Sequence, residues 1–284
     1  MDADADALVV GAIDMHCHHG PDPHRVRSVD AAQAVREAEA LGLGAVVLKS
    51  HAYPTGPVAI LMQHTVERLR VFGGICCDFE VGGLNPAAVE VALRTGGKVV
   101  WLPTFSSVCD RRMLGLPGPG IPLLDDAGRL VPAVEEILRL ARAHDGVVAT
   151  GHVDLPEQFA VADAARALGV RVVMTHALET LVGPDHTLAH VIELADRGVT
   201  IEFAYLTCIP GGIAATEEPE TFAHAMMSVG PERAIMSTDF GQAQSPHPAE
   251  GMRLFLAEML RCGVPPAALD LMARRNPARL LGLA

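Results

Sequence analysis

The stretch Ile13-Asp14-Met15-His16-Cys17-His18-His19-Gly20 carries the residue types that open the chemistry of this chain. It follows the apolar run Leu8-Val9-Val10-Gly11-Ala12, and together they read as a strand over about 9–18. Side chains on a strand alternate faces, so His16 and His18 share one face and Cys17 takes the other. Two imidazoles so placed can reach one divalent ion, and neutral imidazole suits zinc, iron, nickel or copper. Similar types recur where later β-type runs end: Lys49 and His51, then His152, His176 and Asp239. These are metal ligands or proton carriers gathered from distant parts of the chain.

Eight short β-type runs must position them: 9–18, 45–50, 71–77, 99–104, 147–152, 171–176, 199–205 and 234–239. Amphipathic helical patterns alternate with them, over about 29–41, 57–70, 86–95, 132–144, 156–168, 185–197 and 217–228. Ser28 is placed to cap the first of these and Gly42 to close it. Such alternation predicts a parallel sheet of βα units, and runs such as Ala45-Val46-Val47-Leu48 suit strands buried on both faces. A (β/α)8 barrel takes roughly 250 residues. The expected fold class is therefore α/β, one TIM-barrel domain over 1–284, with helices at 248–261 and 265–274 added at the end. Residues 1–8 read as a frayed, flexible tail. Segment 105–131, rich in Gly and Pro after the fourth strand, reads as a lid loop, with a disordered insertion as the alternative. In such a barrel the active site lies at the C-terminal strand ends, where the candidate residues cluster. Buried there without a task, they would carry a desolvation cost.

Composition narrows the function classes. Formal net charge is −12, which argues against binding a phosphate backbone, and only 4% of residues are aromatic, which argues against single-strand stacking. No apolar run is long enough to span a membrane. The N-terminus has neither a basic region nor a long apolar one, so no secretory signal is read there. Six scattered cysteines without a Cys-x-x-Cys pair then fit reduced thiols, and the expected location is the cytoplasm. A homodimer is the default assembly on base rates.

The chain resembles the amidohydrolase superfamily of metal-dependent hydrolases over nearly its whole length. The resemblance rests on Asp14-Met15-His16-Cys17-His18, Thr150-Gly151-His152, Val173-Met174-Thr175-His176 and Ser237-Thr238-Asp239. The ending Asn276-Pro277-Ala278-Arg279-Leu280-Leu281-Gly282-Leu283 also resembles that family's last helix. The resemblance implies a zinc-type site. His16, His18 and Asp239 would hold a first ion; His152 and His176 would hold a second, or one of them would join the first. The family often bridges two ions with a carboxylated lysine from strand four. Here that strand ends in Trp101-Leu102-Pro103-Thr104, and Lys98 lies at its other end. Lys49 is the lysine placed to substitute, with carboxylation as one role and pairing to Asp239 or to a substrate carboxylate as the others.

The expected chemistry is hydrolysis of a C–N amide-type bond, cyclic or not, or of a related ester or lactone, by metal-activated hydroxide. Asp239 would carry the proton. His19, His24, Arg25 and Arg27 would line the pocket mouth, arginine being suited to carboxylates; His51 and His247 are further substrate-binding candidates. Tyr205 and Cys208 read as pocket wall, and Cys76 and Cys77 as buried packing. His64, His144, His186, His190 and His224 fall in or beside helical patterns and read as surface. The alternative enzyme class is a mononuclear decarboxylase or deaminase of a small acid or heterocycle. A histidinol-phosphatase-type barrel would need more ligands on the middle strands, and a binding module without catalysis would not need this ligand set.

Overall fold

A computed structural model of the chain describes residues 2–179, 186–212 and 215–283. Eight parallel strands lie in sequence order: β1 (Ile13–His18), β2 (Ala45–Lys49), β3 (Arg70–Cys76), β4 (Gly97–Trp101), β5 (Val147–Ala149), β6 (Arg171–Met174), β7 (Thr200–Ala204) and β8 (Ala234–Ser237). The ring closes just beyond β8. There the Asp239 amide donates to His16 O at 3.0 Å and the His18 amide donates to Phe240 O at 2.8 Å. Gly241, at φ 133°, makes that seam tight: a Cβ there would sit 2.3 Å from His18 O. The fold is a (β/α)8 barrel.

The helices among the described residues are α1 (Asp2–Val9), α2 (Ala31–Leu41), α3 (Gly56–Gln63), α4 (Pro86–Arg94), α5 (Val108–Met113), α6 (Pro132–Ala143), α7 (Leu155–Leu168), α8 (Leu188–Asp196), α9 (Pro219–Val229), α10 (Pro248–Arg261), α11 (Pro266–Asp270) and α12 (Asn276–Leu281). None is long and apolar enough to cross a membrane. Strand residues alternate between two cores. Ala45 and Val47, Val99 and Trp101, and Val147 and Ala149 fill the barrel interior, closed at one end by Leu280 and Leu281 of α12. Val46, Leu48, Val148 and Phe203 face the helices.

Several boundaries differ from the sequence reading. The expected tail is α1, because Ala5 and Val9, one turn apart, are buried in the core. Asp30, not Ser28, caps α2, its side chain accepting from the Gln33 amide. Helix 57–70 stops at Gln63, and 265–274 divides into α11 and a π turn. The start of the helix expected at 185 lies outside the described residues. Segment 105–131 is ordered: it contains α5, and Leu123 donates its amide to Glu157 at 2.6 Å.

β1 has a bulge. Asp14 pairs with Val46 and Cys17 with Leu48, so three steps on β1 match two on β2. A bulge re-aims side chains beside active sites. Here Met15 joins the interior core while His16, next in sequence, lies 5.8 Å from interior Trp101. Asp14 braces the bulge: Oδ1 accepts the His16 and Thr238 amides at 3.1 Å each, and Oδ2 accepts the Thr238 hydroxyl at 2.5 Å.

Candidate metal centre

The C-terminal strand ends surround a chamber open to solvent. Of the expected residues, the structure brings His16, His18, Lys49, His152, His176 and Asp239 together there. Asp239 Oδ1 lies 3.1 Å from His16 Nε2 and 3.0 Å from His18 Nε2. Lys49 Nζ is 2.8 Å from His16 Nε2, so its hydrogen bond goes to the histidine and not to Asp239. His152 Nε2 and His176 Nε2 are 3.1 Å apart. His16, His18 and Asp239 offer ligand atoms within 4.8 Å of one another, and so do His176, Glu179 and Asp239.

Carboxylates stand behind the imidazoles. His16 Nδ1 meets Glu202 of β7 at 3.2 and 3.3 Å, and Glu202 also accepts the His176 amide at 3.0 Å. His152 Nδ1 meets Asp110 Oδ2 at 2.9 Å, and Glu179 Oε2 lies 2.8 Å from His176 Nδ1. At His16 and His152 this is the arrangement by which second carboxylates orient metal-binding histidines. Where such a ring is neutral with its proton on Nδ1, its Nε2 is left as an acceptor. The Nε2 atoms of His152 and His176 face each other, and those of His16 and His18 face Asp239 Oδ1. Such a donor set fits a divalent cation.

The electrostatics show how strongly the carboxylates act on these rings. Burial disfavours charge on His16, but the Asp239 and Glu202 carboxylates outweigh it and hold its pKa at about 9. Burial works to raise Glu202 too, and the His16 charge brings it down to about 2. Asp239 lies well below the usual carboxylate range; burial opposes this, and His16 and then His18 overcome it. His18 is held neutral by burial, with its Nδ1 buried and unpartnered. His176 and Asp239 also have positive φ, 26° and 56°, a conformation non-glycine residues rarely hold outside functional sites.

The outer candidates divide. Arg25 and His51 line the chamber, Arg25 over the Phe105 ring at 4.7 Å. Arg27 also lines it, already bound to Asp22 at 2.6 and 2.7 Å. Three expectations need correction. His19 does not line the chamber; its Nδ1 turns to Gly20 O at 2.9 Å. His24 points outward to Glu80 at 2.7 Å. His247 lies beyond the mouth, where Pro248 starts α10, and meets Glu37 at 2.9 Å. Leu206, rather than Tyr205 or Cys208, forms the wall after β7. The sequence reading missed Asp110, Glu179 and Glu202. Glu202 had a signal, a carboxylate inside an otherwise apolar strand; Asp110, on the short α5, and Glu179, past β6, had none.

The profile of DUF6282, described as a family of unknown function, matches residues 11–202. This chain belongs to DUF6282. The match runs from before β1 into β7, so this DUF6282 chain carries Asp239 outside it. No curated protein matches. Among solved structures the DUF6282 chain is similar to an amidohydrolase from Pseudomonas aeruginosa, at 13% identity, TM-score 0.65, covering 99% of this chain and 98% of that one. It is similar to a protein assigned as a 2-pyrone-4,6-dicarboxylic acid hydrolase from Pseudomonas putida, at 17% identity and TM-score 0.65, over 96% and 98% of the two chains. It is also similar to dipeptidase AC, a metallopeptidase of family M19, at 13% identity and TM-score 0.62, over 96% and 98%. These likenesses show that the DUF6282 chain shares its fold with these proteins.

Proposed function

We propose that this chain is a metal-dependent hydrolase that opens a C–N amide-type bond, cyclic or open, or a related ester or lactone bond, in a small molecule. One observation carries the reading: His16 and His18 meet Asp239 through Nε2, Lys49 meets His16, and His152 and His176 meet each other through Nε2 in the same chamber, with carboxylates beside three of the rings. Solved structures of the same fold include hydrolases and a metallopeptidase, which supports it.

His16, His18 and Asp239 would hold a divalent ion, with His152 and His176 as the second pair of ligands; imidazole with carboxylate suits zinc. When bound, the ion supplies Lewis acidity, lowering the pKa of a water from roughly 15.7 to 7 and polarising a carbonyl. Asp239 takes the proton of the attacking water on a carboxylate oxygen and passes it to the leaving nitrogen or oxygen. Lys49, with its Nζ beside His16, is the candidate for carboxylation and a bridging role. Arg25 at the mouth is suited to a carboxylate on the substrate.

The test is metal content by elemental analysis, on wild type and Lys49→Ala purified without chelator and with bicarbonate, paired with a panel of lactams, imides, lactones and acyl amides. Bound divalent ion in wild type and turnover within the panel are expected, both falling in Lys49→Ala. A wild-type protein that retains no ion in micromolar zinc and hydrolyses nothing overturns the proposal. One ion per chain, unchanged in Lys49→Ala, would instead favour decarboxylation or deamination.

A further inference from the structure

Asp78, just past β3, and Thr104, just past β4, take no part in the candidate metal centre, yet they are 1% and 0% exposed. Asp78 Oδ1 accepts the Thr104 amide at 2.8 Å and the Ser106 amide at 3.0 Å. Its Oδ2 is in short contact with the Thr104 hydroxyl. A carboxylate only accepts, so the hydroxyl directs its single proton to Asp78. The Thr104 oxygen then has only lone pairs for His51, whose Nδ1 lies 2.7 Å away. His51 Nδ1 must carry the proton, which leaves Nε2 of the neutral ring as an acceptor.

That ring is held firmly. It stacks on His18 at 4.9 Å and meets Phe105 at 4.3 Å, and it lines the chamber. No described residue hydrogen-bonds its Nε2. His51, Cys76 and Asp78 also offer atoms within 4.8 Å of one another. Both Asp78 oxygens are already committed to Thr104 and Ser106, so hydrogen bonding accounts for this group.

We infer that His51 is a substrate-binding residue whose Nε2 accepts a hydrogen bond from an N–H or O–H of the substrate, and that Asp78 and Thr104 are positioning residues that fix its tautomer. The inference rests on the hydrolase reading and sharpens it: among the bonds that reading allows, the chamber favours those with a donor beside the carbonyl. An unsubstituted lactam or imide has one, and a lactone of the same ring does not. A buried acceptor left unpaired discriminates strongly against an analogue lacking its donor.

The experiment is long-range proton–nitrogen NMR on zinc-loaded, nitrogen-15-labelled protein, with His51 assigned by its absence in His51→Gln. δ-Valerolactam, N-methyl-δ-valerolactam and δ-valerolactone are the probes. In wild type and Thr104→Ser the proton should sit on Nδ1; in Thr104→Val, which keeps the shape and loses the hydroxyl, the single tautomer should be lost. The Nε2 signal should move with δ-valerolactam and not with its N-methyl form. Where the lactams are hydrolysed, kcat/KM should favour the unsubstituted one by about tenfold or more, a preference lost in Thr104→Val and kept in Thr104→Ser. A wild-type proton on Nε2, an Nε2 that binds zinc, or no response to δ-valerolactam overturns the inference. A shift with δ-valerolactam but no turnover of any probe counts against the hydrolase reading alone.

Discussion

His152 and His176 face each other through their Nε2 atoms at 3.1 Å, while Asp110 and Glu179 stand at the Nδ1 atoms behind them. An ion taken up by such imidazoles binds the folded chain and not the unfolded one, so binding should stabilise the fold. At a zinc concentration one hundred times Kd, the gain is about 2.7 kcal/mol. In a domain of this size that raises Tm by roughly 5 °C or more. Thermal melts with zinc and with chelator check it; identical curves would remove the site.

Asp239 is the proposed proton carrier. Asp239→Asn should keep the fold, because asparagine tolerates the left-handed backbone that Asp239 holds at φ 56°. Turnover of any substrate found in the panel should fall by at least about 10²-fold, the usual worth of general-base work. A melting curve and a kcat measurement on the same sample separate the two effects.

Asp110 joins α5 to His152, so a wall of the chamber also orients a candidate ligand. Removing such a carboxylate typically costs 10- to about 100-fold in metal affinity. Asp110→Ala is expected to show that loss by zinc calorimetry, while Asp126→Asn, an exposed change on the same segment, should not. Equal affinities in the two variants would leave His152 oriented by something else.

The mouth segment carries an acid-sensitive contact. Burial acts to raise the Asp22 pKa, but the His24 amide and then Arg27 and the Arg25 amide hold it below the ordinary aspartate value. A depressed carboxylate stabilises the folded state above its unfolded pKa of about 3.9. That contribution is lost as pH falls through the lower, folded value. Urea unfolding of wild type should therefore weaken with acidity below about pH 4 more steeply than that of Asp22→Asn. Parallel slopes would show that Asp22 is not a source of the dependence.

The barrel and the strand ends that carry the candidate ligands were legible because each rests on a local pattern. Eight apolar runs of strand length announce the ring, and a His or Asp at the end of a buried strand has few places to point. Lys49 followed directly from alternation after Ala45 and Val47. The remainder depended on paths without periodicity. Asp110 reaches His152 from a Gly/Pro-rich segment whose course no spacing encodes. His247 looked like a mouth residue by its distance from β8 in sequence, but it stands where α10 begins and meets Glu37 instead. His24 likewise left the mouth because Glu80 offered a partner outside it. The tautomer of His51 needed Asp78 and Thr104 together, two residues from different strand ends that no motif links.

The closing of the ring by Asp239 on His16 and of His18 on Phe240 joins the first strand to the segment after the last. During synthesis β1 leaves the ribosome first and β8 follows some two hundred residues later. All four histidines are made before Asp239, but they have no common centre to surround until that last strand docks. A nascent or truncated chain therefore presents scattered imidazoles rather than a finished cage. If the proposed ion is held there, its loading becomes a checkpoint on complete folding, and a chain that fails to close its barrel should also fail to bind it.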